Sequence, residues 1–228
     1  MAILTRKPGG SGGGPESDAA ALAALNSHVT DAADAHDASA ISVADAGGLF
    51  TATEVEAALA ELAALVRPIQ TITVPSGGSA TVDFQNIPQT FKHLRIIGRA
   101  ATENAATQEL LIRCNNDSTN SYFYEQLVGL ATTASAATAS SQATGLVCRM
   151  GGTASAQFTG FELTLPDYTR ADVHAMTSHW GGHITPNNGT GVYMTLYNIA
   201  AAITRITLFS AGSSDVKEGS VFSLYGVL

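Results

Sequence analysis

From Ile69 to Leu228 the apolar residues of this chain recur at every second position, and that period leaves little choice of fold. In 69-IQTITV-74, Ile72 and Val74 alternate with threonine; in 79-SATVDF-84, Val82 and Phe84 flank Asp83. Successive side chains of a strand point to opposite faces, so alternation of this kind marks strands with one buried face. The pattern returns in 93-HLRIIGRA-100, 108-QELLIRC-114, 122-YFYEQLVGL-130, 144-TGLVCRM-150, 156-AQFTGFELTL-165, 172-DVHAMTSHW-180, 190-TGVYMTLYNI-199, 203-ITRITLF-209 and 220-SVFSLYGVL-228. Turn formers separate the runs, among them Asn115-Asn116-Asp117, Gly151-Gly152, Pro166-Asp167 and Pro186-Asn187-Asn188-Gly189. Pro75-Ser76-Gly77-Gly78 predicts a hairpin between the first two runs. About ten strands with no helical period between them predict an all-β fold, an antiparallel β-sandwich of jelly-roll type over residues 69–228. The last run, with Phe222 and Leu224, predicts an end tied into the sheet.

Upstream of Pro68 the period changes. The stretch 50-FTATEVEAALAELAALVRP-68 reads as a helix that Pro68 stops. Thr51 and Glu54 have capping-box spacing, and Phe50 faces Val55 as a hydrophobic staple. Val55, Leu59, Leu62 and Val66 form a narrow stripe at coiled-coil spacing, slightly widened by Leu65. A lone helix of this length is marginal in water. The seam therefore needs a partner, either the following domain or other copies of the chain, and its narrowness favours self-association. Residues 18–27, DAAALAALNS, predict a shorter helix with Leu22 and Leu25 on one side, so 18–68 reads as a helical stalk. Residues 1–17 read as a flexible arm, because 9-GGSGGGP-15 cannot nucleate structure. Its tip places Ile3 and Leu4 beside Arg6 and Lys7, either a docking peptide or a plain terminus.

Charge narrows the function classes. The net charge is −8, and charged residues are only 13% of the chain. Residues 1–68 carry three Lys/Arg against nine Asp/Glu, a net of −6, and the remaining eight and ten leave −2 for 69–228. Such a balance argues against nucleic acid and against a polybasic membrane contact. No apolar run reaches the length of a membrane span, so no membrane insertion is expected, and no secretory leader is read at the N-terminus. Cys114 and Cys148 have no metal or redox spacing and fall in apolar phase, which favours buried free thiols over a disulfide between them, in a chain made in a reducing cytoplasm.

The segment 35-AHDASAIS-42 followed by 51-TATEVEAALAELA-63 resembles a module of bacteriophage tail fibres and other virion appendages. The stretches 85-QNIPQTFKHLRIIGRA-100, 112-IRCNNDSTNSYFYEQL-127, 161-FELTLPDY-168 and 203-ITRITLFSAGSSDVKEGSVFSLYGVL-228 resemble a C-terminal sandwich of phage structural proteins. The resemblance implies a homotrimeric, non-enzymatic virion component on a capsid or tail. Its partners would be its own copies and, through the arm, a major capsid or tail protein. In 35-AHDASAISV-43, Ile41 and Val43 would then meet near the threefold axis. The alternative is an adhesin whose head binds host-surface glycan or a cell-wall polymer.

Residues that carry chemistry are sparse. His174, His179 and His183 lie within ten residues, but 174 and 179 are an odd number apart and point to opposite strand faces. Asn115, Asp117 and Thr119 alternate as calcium ligands do, without the glycine and distal glutamate of an EF-hand loop. Glu162, Asp167 and Asp172 are close in sequence, yet Glu162 stands in the polar phase of its strand, and no serine sits in a nucleophile elbow. His28 and His36 fall in the stalk. No catalytic, metal or cofactor site is therefore expected. For glycan, exposed rings offer stacking platforms, and Tyr122, Tyr124 and Trp180 are the candidates, with Tyr168, Tyr193 and Tyr197 behind them. Half-buried tyrosines at a subunit interface account for the same residues.

Overall fold

A computed structural model describes residues 22–23, 26, 42–45, 47–48, 50–66, 68–153, 157–184 and 187–228. The expected arm, with Ile3 and Leu4, lies outside them, as do residues 35–41 of the resembling box. The chain divides into two compact units, Met1–Ala64 and Leu65–Leu228.

Helix α1 spans Val55–Val66, most of it in the first unit. Glu54 is its N-cap, since its carbonyl accepts the Ala58 N–H at 2.9 Å. The expected capping box does not form. Thr51 stands a turn too early, and both its N–H (3.0 Å) and its hydroxyl donate to the Glu61 carboxylate instead. The entry to the helix is held by an antiparallel bridge between Ser42 and Glu54 and by the Phe50 N–H on Asp45 Oδ2 at 2.7 Å. Leu22, Ala23 and Asn26 are helical and exposed; the rest of the predicted 18–27 helix lies outside the described residues.

The second unit is all-β. Twelve strands are described: β1 Gln70–Thr73, β2 Val82–Phe84, β3 His93–Ala100, β4 Gln108–Cys114, β5 Tyr122–Leu130, β6 Thr133–Gln142, β7 Gly145–Met150, β8 Thr159–Leu165, β9 His174–Ile184, β10 Asn187–Tyr197, β11 Ile206–Ser210 and β12 Val221–Val227. They form two antiparallel sheets. The larger has the order β1-β12-β3-β8-β9-β10-β5-β6, the smaller β2-β11-β4-β7. The alternation expected of these runs is visible directly: β9 runs buried and exposed in turn from His174 to Trp180. Phe84, Leu94, Ile96, Leu110, Ile112, Tyr122, Tyr197 and Phe222 are among the fully buried residues of one core cluster.

Hydroxyls tie the sheets together across that core. The Tyr122 hydroxyl on β5 accepts the Cys114 N–H on β4 at 2.9 Å. On β7, the edge of the small sheet, Leu146 exchanges bonds with Thr195 (3.0 and 3.1 Å) and the Val147 carbonyl accepts from Ser178 at 2.6 Å. Buried backbone groups must find partners, and side chains of the large sheet supply them where a neighbouring strand does not.

Two expectations need correction. The loop Pro75–Gly78 is no hairpin, because β1 pairs with β12 and β2 with β11, in different sheets. Its turn is real: Gly78 donates to the Pro75 carbonyl at 3.1 Å, with Gly77 and Gly78 at φ +90° and +80°. The chain uses that turn to pass between sheets. Strand β6 is absent from the strands that alternation predicts. Its sequence, TASAATASSQ, has no large residue to alternate, and it is exposed along most of its length at the sheet edge. Cys114 and Cys148 are both buried and free. Cys148 faces Leu110 and Cys114 sits four residues farther along β4. At about 3.4 Å per residue their Cα atoms are roughly 14 Å apart, beyond disulfide reach.

Candidate functional site

Leu59 and Leu62 are 58% and 50% exposed, Val55 is half-buried, and the side chain of Val66 lies outside the described residues. The buried side of α1 runs instead through Ala58, 7% exposed, with Glu54 and Glu61 half-buried. Leu59 and Leu62 of the expected seam are thus exposed.

The ring residues expected to meet glycan are mostly core. Tyr122 is fully buried and stacks on Tyr197 with centroids 5.0 Å apart. Trp180 is 3% exposed and meets Tyr193 edge to face at 5.9 Å. Tyr168, Tyr193 and Tyr197 are buried too, and only Tyr124 is half-buried. Trp180 packs against Gly191, where an added Cβ would stand 2.5 Å from its Nε1. Period two shows that Tyr122 and Tyr124 share a face; it does not show that this is the face turned to the small sheet.

Histidines behave as the spacing predicts. His174 is buried with Nε2 bonded to the Ala201 carbonyl at 2.8 Å, while His179 is exposed on the other face. His183 pairs with Asn188 at 2.9 Å. Among the described residues no group of His, Cys, Asp or Glu is placed to hold a metal. The 115–119 turn is built from its own side chains. Asn115 and Asn116 have φ of +52° and +62°, and the Asp117 N–H closes on the Cys114 carbonyl at 2.9 Å. Asp117 Oδ1 then accepts the Thr119 N–H (2.8 Å) and hydroxyl (2.6 Å). Burial pushes the Asp117 carboxyl up, but these Thr119 bonds and one from Ser121 outweigh it and hold it below its ordinary value. Glu162 is paired with Arg95 through two 2.7 Å bonds, which hold its carboxyl low and leave it a surface ion pair.

Two features of the surface stand out that period alone does not reveal. On the outer face of the large sheet, Leu127 (63% exposed) and Val192 (43%) line two adjoining hollows of about 430 and 510 Å³ with Ala134, Ala136 and Met194. The second is a polar pocket of about 400 Å³ where the start of β4 and end of β7 meet Ile184 at the end of β9 and Asn187 at the start of β10. There Glu109 faces Arg149 in the ladder. Arg149 Nε and Nη2 both lie 2.9 Å from Oε1, and the buried Tyr193 hydroxyl donates to Oε2 at 3.0 Å. Burial raises the Glu109 carboxyl above its ordinary value, against the pull of Arg149 and Tyr193. Burial and the neighbouring carboxylate raise the Tyr193 phenol in turn.

No family model, curated protein or solved structure matches this chain. Among the described residues no helix is long and apolar enough to cross a membrane.

Proposed function

We propose that this chain is a structural protein of a phage virion: a small homotrimeric fibre or knob on the capsid or tail. Residues 1–17 would anchor it, 18–68 would form the stalk and 69–228 the head. The observation that carries the reading is the exposure of Leu59 and Leu62 on the one helix face with coiled-coil spacing. Large apolar residues left open at that spacing are what a stalk of several chains requires. The exposed apolar hollow around Leu127 and the uncharged edge strand β6 add a second surface suited to packed copies.

The strand order supports a jelly-roll head. With β1, β12 and the β9–β10 hairpin set aside, eight strands remain, from β2 to β11. The small sheet then places the first beside the last, then the third and the sixth. The large sheet places the second beside the seventh, and the fourth beside the fifth. That order arises when a long antiparallel ribbon is rolled into two sheets, as a jelly roll is. The β9–β10 hairpin is inserted between the two pairs of the large sheet.

The adhesin alternative loses Tyr122 and Trp180 as stacking platforms, since both are buried. Light scattering on the purified protein tests the trimer. The expected mass is three times that of the chain, falling to one with Leu59→Asp and Leu62→Asp together. A monomer at micromolar concentration before any substitution overturns the reading.

A further inference from the structure

The pocket around Glu109 has the features of a binding site that a purely structural role leaves unused. Its charge is already neutralised within the protein, since Glu109 and Arg149 lie 2.9 Å apart and each is only about a quarter exposed, at 23% and 25%. An ion gains little by entering such a site. What the pair offers is a fixed acceptor next to a fixed donor, held in one geometry by the fully buried Tyr193. Thr107, Gln108 and Asn187 add neutral polar groups at the wall, while Leu130, Ile184 and Ala211 add apolar surface. Adjacent donor and acceptor beside an apolar wall match two neighbouring hydroxyls on a ring that also has a C–H face. The volume of about 400 Å³ is within the range of small-molecule pockets.

We infer that this pocket binds a neutral saccharide unit, one hydroxyl donating to Glu109 and its neighbour accepting from Arg149. The inference concerns the β unit alone and stands whether or not the chain is a trimer. The test is NMR on the full chain, titrated separately with glucose, galactose, mannose and N-acetylglucosamine, and with sodium acetate and guanidinium chloride as ionic probes. At least one sugar is expected to shift the methyl signals of Leu130 and Ile184. Glu109→Gln should weaken that binding by at least about tenfold. Asn187→Ala, at the pocket wall, should weaken it by a smaller factor and serves should Glu109→Gln misfold. Repeating the titration on the Leu59→Asp, Leu62→Asp protein separates this inference from the trimer, since binding should persist there. The inference is overturned if no sugar shifts those methyls. It is equally overturned if acetate or guanidinium shifts them more strongly than any sugar, or if sugar binding is unchanged in both pocket variants.

Discussion

In helix α1 the large residues Leu59 and Leu62 are half-exposed or more, while the small Ala58 is buried; in strand β12 Phe222 and Leu224 are 0% and 1% exposed. The two units thus place their apolar side chains in opposite ways. The β unit closes its core within one chain, because two sheets face each other and alternating residues meet partners across the gap. A twelve-residue helix has one narrow stripe and no second layer of its own, so its stripe must be covered by something else or stay wet. The β unit therefore buries its apolar residues by itself, while Leu59 and Leu62 of the helix stay exposed.

Substitutions in the two units test this contrast. The largest effect belongs to Phe222→Ala. This removes a ring that packs on Phe161 at 5.8 Å in the core and should cost about 3–5 kcal/mol in urea unfolding. A loss below about 1 kcal/mol would show the β core to be looser than its burial implies. Next comes Gly191→Ala. Its added methyl meets Trp180 Nε1 at 2.5 Å and the Leu127 carbonyl at 2.9 Å, so a cost of about 1–3 kcal/mol is expected. Trp180 is the single tryptophan, and its emission should shift to the red as the indole is displaced.

A smaller effect is set by pH. Burial would raise the Asp83 carboxyl, but bonds from Arg205 (2.8 and 2.6 Å), Thr207 and Gln85 outweigh it and hold it low. A carboxyl lowered on folding stabilises the protein above its unfolded value and loses that contribution as pH falls through the folded value, here below about 4. Asp83→Asn should therefore flatten the acid limb of the stability curve. Glu109 carries the opposite sign: its raised value makes stability decline as pH rises from about 4.5 through the folded value, a decline that Glu109→Gln should remove. The smallest effect on the β unit is expected from Leu59→Asp with Leu62→Asp. Both sites are exposed, so the stability of the β unit in urea should move by less than about 0.5 kcal/mol while the mass changes. A fall comparable to that of Phe222→Ala would erase the contrast between the units.

Most of the strands are legible in the sequence, because period-two alternation is a local property and survives in β3, β4, β8 and β9 almost residue for residue. Strand β6 is not, because Ala, Ser and Thr carry no contrast between faces; its place comes from pairing with β5. The turn at Pro75–Gly78 is legible as a turn, but not as a passage between sheets, since turn residues fix local φ and not the identity of the next partner. The candidate site divides the same way. The opposite faces of His174 and His179 follow from parity alone. The pocket of Glu109, Arg149 and Tyr193 does not, for its members lie on three strands drawn from both sheets. An all-β unit of alternating strands and a helix with an apolar stripe follow from residue spacing alone, because both rest on patterns within a few residues. Which face of each strand is core, the burial of Tyr122 and Trp180 and the exposure of Leu59 and Leu62 emerge from the folded arrangement, because burial depends on which distant residues come to lie opposite.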